Sequence, residues 1–118
     1  MKAYCFDIAK TVRPFSNCNI KVGAVLERGG RIINVACNTQ GSMSNGHYEY
    51  SRHAESRLLR NVNAQGGSVY VYRSHGITGR PLMGKPCKRC EAILAEAGVK
   101  RVFFTTNTNQ GWEELKLN

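Results

Sequence analysis

Two short motifs constrain this chain more than any other feature of its sequence. Residues 86–90 read PCKRC, so that the thiols of Cys87 and Cys90 stand three positions apart, directly after a proline. Further upstream, residues 53–55 read HAE. Two cysteines at this spacing can hold one metal ion from the first turn of a helix, and His53 can supply a third ligand. The sequence therefore predicts a fold that brings the two motifs together.

Three nitrogen and sulfur ligands form the set found in catalytic zinc sites, where a fourth position stays open for water. We predict that His53, Cys87 and Cys90 bind Zn²⁺, the expected cofactor. Glu55, two residues after His53, is not placed as a fourth ligand. Bound water whose pKa is lowered to about 7 is a nucleophile at neutral pH, and a carboxylate beside it can carry protons. Glu55 is therefore the predicted catalytic residue, and the chemistry suits hydrolysis of an exocyclic amine on cytosine or adenine.

Each motif also has a simpler interpretation. A lone C-x-x-C can be a redox pair or one half of a structural zinc site. The chain has no second C-x-x-C, and a redox pair would be expected after the first strand of a βαβ unit rather than late in the chain. His53 alone would usually be an ordinary histidine, and Glu55 alone a solvated helix charge. Their occurrence together, with one predicted strand between the motifs, favours a catalytic site.

The composition is that of a single globular domain, residues 1–118. Apolar residues make up 42% of the chain, which is enough for a core without disulfide bonds. Five cysteines is an odd number, and Cys5, Cys18 and Cys37 lack the spacing of a disulfide framework. We therefore expect a reducing compartment, with these three as small buried side chains. No apolar run resembles a signal peptide or a membrane span, which predicts a soluble, cytoplasmic protein without a membrane partner.

The charge balance is strongly basic. Lys and Arg number 17 against 8 Asp and Glu, giving a net charge of +9 at pH 7. Such a balance favours ligands that carry phosphate. The candidates for contacting a phosphate are the basic residues of the loops expected around the site: Arg52, Arg73, Arg80 and Lys85.

The hydrophobic pattern predicts an α/β fold with a mixed sheet of four to five strands flanked by helices. Helices are expected at residues 2–12, 53–61 and 87–97, and strands at 20–26, 31–38, 68–72 and 101–105. Residues 39–52 and 73–85 read as loops, and residues 112–115 as one helical turn or more. The unit formed by residues 68–72, 87–97 and 101–105 should be a right-handed parallel crossover.

The chain resembles the cytidine deaminase superfamily, and within it the cytidylate and deoxycytidylate deaminases. The resemblance is carried by both metal motifs, by VGAVL at 22–26, by Asn38, and by the continuation from Cys90 to Val102. It implies the three-layer cytidine deaminase-like fold, with zinc bound by the three predicted ligands and protons moved by Glu55. It also implies that Asn38 binds the sugar and that backbone groups at Ala54 and near Lys85 touch the base.

Two further residues complete the predicted substrate contacts. Tyr48 lies in the long loop before the HAE motif, where Tyr50 is a second tyrosine, and Arg57 lies on the helix beside the site. Arg57 departs from the family that the chain resembles, because deoxycytidylate deaminases usually have asparagine at this position. The loop at 73–85 is also longer than the usual link to the Pro-Cys motif.

Three functions follow, and the sequence leaves them open. The leading one is hydrolytic deamination of a cytosine nucleotide, deoxycytidylate or cytidylate, with the nucleoside as a further substrate. The second is deamination of a base in a polynucleotide, either tRNA adenosine or single-stranded DNA cytosine, for which the charge and the two tyrosines suit backbone tracking and stacking. The third is a noncatalytic, zinc-stabilised nucleic-acid-binding module. A homo-oligomer is expected.

Overall fold

The computed structural model describes residues 2–12, 14, 18–39, 43–44, 47–48, 53–106 and 111–117, with backbone alone for residues 2, 43–44 and 47–48. The helices are α1 (Lys2–Val12), α2 (Ala54–Arg57) and α3 (Lys88–Glu96). The strands are β1 (Ile20–Arg28), β2 (Arg31–Cys37), β3 (Met43–Ser44), β4 (His47–Tyr48), β5 (Ser68–His75), β6 (Pro81–Leu82), β7 (Arg101–Thr105) and β8 (Trp112–Lys116).

Six of these strands form one mixed sheet, in the order β2-β1-β5-β7-β8, with β6 paired to β5. Strand β5 is parallel to β7, and the other pairs are antiparallel. The connection from β5 to β7 runs through α3, which is the parallel crossover expected from the sequence. Strands β3 and β4 form a separate antiparallel pair within the segment expected to be a loop.

Side chains alternate between the two faces of the sheet, and helices cover both. On one face α1 packs against a small core formed by Cys5, Ala9, Val25, Tyr70 and Phe103. On the other face α2 and α3 lie over a larger core, which includes Ala24, Leu26, Leu58, Val69, Val71, Leu94, Val102 and Phe104. The fold is thus the predicted three-layer α/β arrangement. No helix among the described residues is long and apolar enough to cross a membrane.

The strand pattern extends further than the sequence suggested, giving six strands rather than four to five. Strand β5 continues to His75 because its polar end still pairs with residues 20–22 of β1. The chain then turns back at Pro81 and Leu82, so the segment expected as one loop contains a β-hairpin. The expected helical turn at 112–115 is wrong. Leu115 and Leu117 alternate with exposed residues and pack on the core, and the segment pairs with β7 as β8.

Helix α2 is also shorter than the expected span of residues 53–61. After Arg57 the hydrogen bonds tighten, with the backbone nitrogen of Arg60 bonded to the carbonyl of Arg57. The carbonyl of Leu58 instead accepts a hydrogen bond from the side-chain nitrogen of Asn34 on β2, at 3.0 Å. Asn61 then adopts a positive φ of 59°, which ends the helical path. The tertiary contact with β2 therefore replaces the last turns of the expected helix.

Candidate active site

The two cysteines are placed by the start of α3. Cys87 is the N-cap residue of this helix, and its Sγ accepts a hydrogen bond from the backbone nitrogen of Cys90 at 3.5 Å. Cys90 is 3% exposed, whereas Cys87 faces solvent. The buried Pro86 fixes the extended entry into the helix. Both thiols therefore point from one helical turn toward the same place.

The histidine reaches this place from the start of α2. His53 Nδ1 lies 3.2 Å from Cys90 Sγ and 3.8 Å from Cys87 Sγ. The three donor atoms all lie within 4.8 Å of one another. The structure thus brings together the three ligands predicted from the sequence, although the motifs are far apart along the chain.

The spacing of these donors fits a tetrahedral zinc ion. With Zn–S near 2.3 Å and Zn–N near 2.0 to 2.1 Å, the S to N edge of a tetrahedron is about 3.6 Å. The two observed distances, 3.2 and 3.8 Å, lie on either side of that value. Two thiolates and one imidazole are also donors that zinc prefers. His53, Cys87 and Cys90 therefore fit Zn²⁺ in chemistry and in geometry.

Burial, the negative charge of Glu55 and a hydrogen bond with Cys87 together raise the pKa of the Cys90 thiol to about 12. The thiolate that a metal needs is thus disfavoured by the protein alone. A bound dication favours the thiolate through its positive charge and so offsets this penalty. Cys90 therefore loses its proton as the metal binds.

Glu55 lies beside the donor group but does not belong to it. Among the described residues, the set of donor atoms close enough to share an ion contains the histidine and the two cysteines, without this carboxylate. Glu55 is 6% exposed. Burial raises its pKa, while a hydrogen bond from its own backbone and the charges of His53 and Arg73 lower it. A carboxyl group whose pKa is raised by burial can take up and release a proton nearer to neutral pH.

The donor group opens into a cavity of about 300 Å³. His53, Glu55 and Cys87 are among its lining residues, and its apolar lining includes Val22 and Val71. Its remaining lining residues are Asn38, Ala54, Arg73, Gly84 and Lys85. The volume is at the lower end of that of small-molecule sites. Of the predicted substrate contacts, Asn38, Ala54 and Lys85 therefore lie around one cavity with Glu55, the predicted catalytic residue.

Asn38 is held firmly at the cavity wall by strand β1. Its Oδ1 accepts a hydrogen bond from the backbone nitrogen of Val22, and its Nδ2 donates to the carbonyl of Ile20, both at 2.9 Å. The amide thus continues the pairing of β1 and β2 past Cys37, where β2 ends. Its orientation is fixed before any ligand enters.

The structure does not bring Arg57 into this cavity. The guanidinium donates to the carbonyl of Cys37 at 2.6 Å, on the other side of α2. There it lines a second, open cavity together with Arg60 and Asn34. The side chain of Tyr48 lies outside the described part of the chain, and so do Tyr50 and Arg52.

Two residues at the site were not singled out from the sequence. Thr105, 5% exposed, accepts a hydrogen bond from the backbone nitrogen of Arg73 and donates one to the carbonyl of Leu82. The backbone nitrogen of Gly84 donates to the carbonyl of Thr105 at 2.7 Å. A parallel crossover places the carboxyl ends of β5 and β7 side by side, and that expectation was the available signal for Thr105.

A family model for the zinc-binding region of cytidine and deoxycytidylate deaminases matches residues 1–106. The match includes both metal motifs and most of the chain. The chain therefore belongs to this family of deaminases, as the sequence motifs indicated. Family and donor set together confirm Zn²⁺ as the expected cofactor.

Solved structures agree with this family. The apo dCMP deaminase of cyanophage S-TIM5 is 25% identical, with a TM-score of 0.67 and coverage of 92% of this chain and 84% of that one. The cytidine deaminase of Burkholderia pseudomallei is 22% identical and shares the fold, with a TM-score of 0.70 and coverage of 99% and 93%.

One curated relative is a larger protein. The chain is 30% identical over 106 residues to the tRNA(Ile)-lysidine synthase of Thermus thermophilus. The match covers 88% of this chain and 18% of that protein, so the chain spans less than a fifth of the relative's length.

Proposed function

We propose that this chain catalyses the hydrolytic deamination of a cytosine nucleotide, deoxycytidylate or cytidylate, to the uracil form with release of ammonia. The observation that carries the proposal is the buried Glu55 beside the group of His53, Cys87 and Cys90, at the wall of a cavity of about 300 Å³. A proton carrier, a metal-ligand set with three members and a nucleotide-sized space are the parts that this reaction needs.

When bound, Zn²⁺ supplies a water molecule of lowered pKa to the site. Glu55 accepts a proton from the attacking water as the oxygen of that water adds to C4 of the cytosine ring. Glu55 then donates this proton to the ring nitrogen N3. It carries a second proton from the added hydroxyl to the exocyclic amine, the C4–N bond breaks and ammonia leaves. Water and cytosine are consumed, uracil and ammonia are formed, and Glu55 ends in its starting state.

The other cavity residues hold the substrate in this proposal. Val22 and Val71 contact the faces or edges of the ring, and backbone groups at Ala54 and near Lys85 bond to its polar edge. Asn38 binds the sugar through the donor and acceptor positions of its amide that the two bonds to β1 leave free. A rigid amide loses little freedom on binding, which favours affinity. The relative of known structure that is 25% identical is a dCMP deaminase, which supports a nucleotide rather than another deaminase substrate.

The test is a panel of cytidine, deoxycytidine, CMP and dCMP with zinc-loaded protein, followed by ultraviolet loss of the cytosine chromophore. We expect turnover of at least one nucleotide and a fall of about 100-fold or more in Glu55→Ala, at unchanged zinc content. Glu96→Ala, which removes an exposed carboxylate from α3, is the matched control and should keep full activity. Absence of turnover on all four compounds would contradict the proposal.

A second candidate is deamination of a base within a polynucleotide. The net charge of +9 supports it, and so does the relative whose name is that of an enzyme acting on tRNA. Oligonucleotides of single-stranded DNA and a tRNA, assayed at several salt concentrations, distinguish it from the first, because binding to phosphate backbones weakens steeply with salt. If oligonucleotide binding survives in Glu55→Ala while no substrate is ever turned over, the noncatalytic binding module is the better description.

A further inference from the structure

The β5–β6 hairpin and the residues just after it place two basic side chains at the cavity. Arg73 follows Val71 on the same face of β5, so both side chains reach the cavity wall, and Lys85 stands just after the hairpin. Glu55 is the carboxylate among the described lining residues, and it is buried next to the metal ligands. The ion pair found among the described residues joins Arg101 to Glu114, away from the cavity lining. The cavity therefore has a surplus of positive charge.

Arg73 is held in place by the hairpin itself. Its backbone pairs with Val22 on one side and Leu82 on the other, and its nitrogen is bonded to Thr105. Its guanidinium donates to the carbonyl of Met83 at 3.1 Å. A guanidinium has five N–H donors, so one bond to a carbonyl orients the group and leaves donors for a ligand. A fixed guanidinium suits a planar or tetrahedral oxyanion better than a mobile lysine does.

We propose that Arg73, assisted by Lys85, forms a phosphate subsite that makes the protein select a nucleotide over the corresponding nucleoside. The inference rests on the proposed deamination of a cytosine substrate in the same cavity. The cavity volume of about 300 Å³ is compatible with a single nucleotide, and the proposal assigns the phosphate to a free monophosphate. Arg73 and Lys85 stand at the two ends of residues 73–85, so the selectivity is assigned to this segment.

The kinetic test compares dCMP with deoxycytidine on zinc-loaded protein. In Arg73→Ala we expect kcat/KM for dCMP to fall about 10- to 100-fold, mainly through KM, because a bond between two charged groups is lost. The ratio of the value for dCMP to that for deoxycytidine should fall about 10-fold or more, because deoxycytidine lacks the phosphate but shares every other effect of losing Arg73. Arg31→Ala removes the same charge from an exposed position at the start of β2, outside the cavity lining, and should leave both values within about threefold. Arg73→Lys should restore part of the loss, and Lys85→Ala should show a smaller loss of the same kind.

A binding test needs no turnover. Calorimetric titrations of dCMP, deoxycytidine and a single-stranded DNA oligonucleotide into Glu55→Gln protein should show tighter binding of dCMP, and the double variant Arg73→Ala/Glu55→Gln should lose that preference. Equal affinity for dCMP and deoxycytidine, an unchanged ratio in the double variant, or a preference for the oligonucleotide over dCMP would overturn the inference. A preserved phosphate preference in a protein that turns over no cytosine compound would instead overturn the proposed function and leave the subsite standing.

Discussion

The side-chain hydroxyl of Thr105 lies 3.1 Å from the backbone nitrogen of Arg73 and accepts its hydrogen bond at the point where β7 ends beside β5. The same hydroxyl donates to the carbonyl of Leu82 at 2.9 Å. One buried side chain thus joins the two strands of the hairpin to the central sheet. It takes the place of backbone pairing where β7 no longer reaches.

Replacing Thr105 with valine keeps the shape and removes the hydroxyl. Since the backbone groups of Arg73 and Leu82 both lose a partner, we expect unfolding of the zinc-loaded protein in urea to show a loss of about 1–3 kcal/mol. Thr105→Ser retains the hydroxyl and should lose about 1 kcal/mol or less, the value of one buried methyl group. Wild-type stability in the valine variant would show that the hydroxyl does not hold the hairpin.

Metal binding should stabilise the fold. Because the ligand set assembles only when α2 meets α3, free zinc at about 100 times its dissociation constant should raise the unfolding free energy by about 2.7 kcal/mol. Chelation should remove this increment, as measured by thermal unfolding with and without chelator. Cys90→Ser should lose both the increment and most of the bound zinc, whereas Cys18→Ser, outside the donor group, should keep both. Equal zinc content in the two variants, measured by elemental analysis, would exclude this ligand set.

Arg57 should contribute to stability rather than to substrate binding. Its guanidinium bonds to the carbonyl of Cys37 away from the cavity that holds Glu55, so Arg57→Ala should cost about 1–2 kcal/mol of stability. Its KM for the preferred nucleotide should change less than about threefold. Arg60→Ala, an exposed neighbour, is the control for loss of charge. A large KM increase confined to Arg57→Ala would restore the role expected from the sequence.

We expect the buried Tyr70, on the face of the sheet covered by α1, to make the protein less stable at alkaline pH. Burial, with a smaller contribution from the negative charges of Cys5, Glu27 and Glu114, raises the pKa of Tyr70 to about 12. The unfolded chain releases this proton near pH 10, so the stabilisation is complete below about pH 10 and is lost as the pH rises toward about 12. The loss has an upper limit of about 2–3 kcal/mol, for two pKa units.

Unfolding of wild type and Tyr70→Phe in urea, at a series of alkaline pH values, measures this effect. The phenylalanine variant should lose less stability over the same interval, while retaining the ring stacked on Phe103 at 4.9 Å. Some slope should persist, because burial also raises the pKa of Cys5. Parallel curves for the two proteins would assign the alkaline loss to other groups.

The metal ligands and the helix that carries two of them could be predicted because the information is local. Cys87 and Cys90 are separated by one helical turn in any α-helix, and Pro86 and Gly98 bracket the span that becomes α3. Gly98, at a φ of +87°, adopts the left-handed conformation that follows a helix end. The meeting of this turn with His53 could be inferred from chemistry, since scattered ligands of one metal must converge.

The remaining features depend on neighbours that are distant along the chain. Arg73 to His75 are polar and read as a loop, yet they extend β5 because β1 offers unpaired backbone beside them. The segment at 112–115 contains good helix formers, but pairing with β7 and burial of Leu115 outweigh that preference. The direction of Arg57 depends on where the carbonyl of Cys37 falls. No local pattern contains that information.

Helix α2 is a single turn of four residues, and its shortness limits how this site can be altered. The imidazole of the predicted zinc ligand His53 and the carboxyl of the proposed proton carrier Glu55 leave the backbone two residues apart, at the N-cap and in the first turn of this short helix. The positions of these two side chains are coupled, since any tilt of α2 moves both of them. An engineered site would therefore need α2 as a whole, together with Asn34 on β2, whose side chain donates a hydrogen bond to Leu58 at the C-terminal end of this helix.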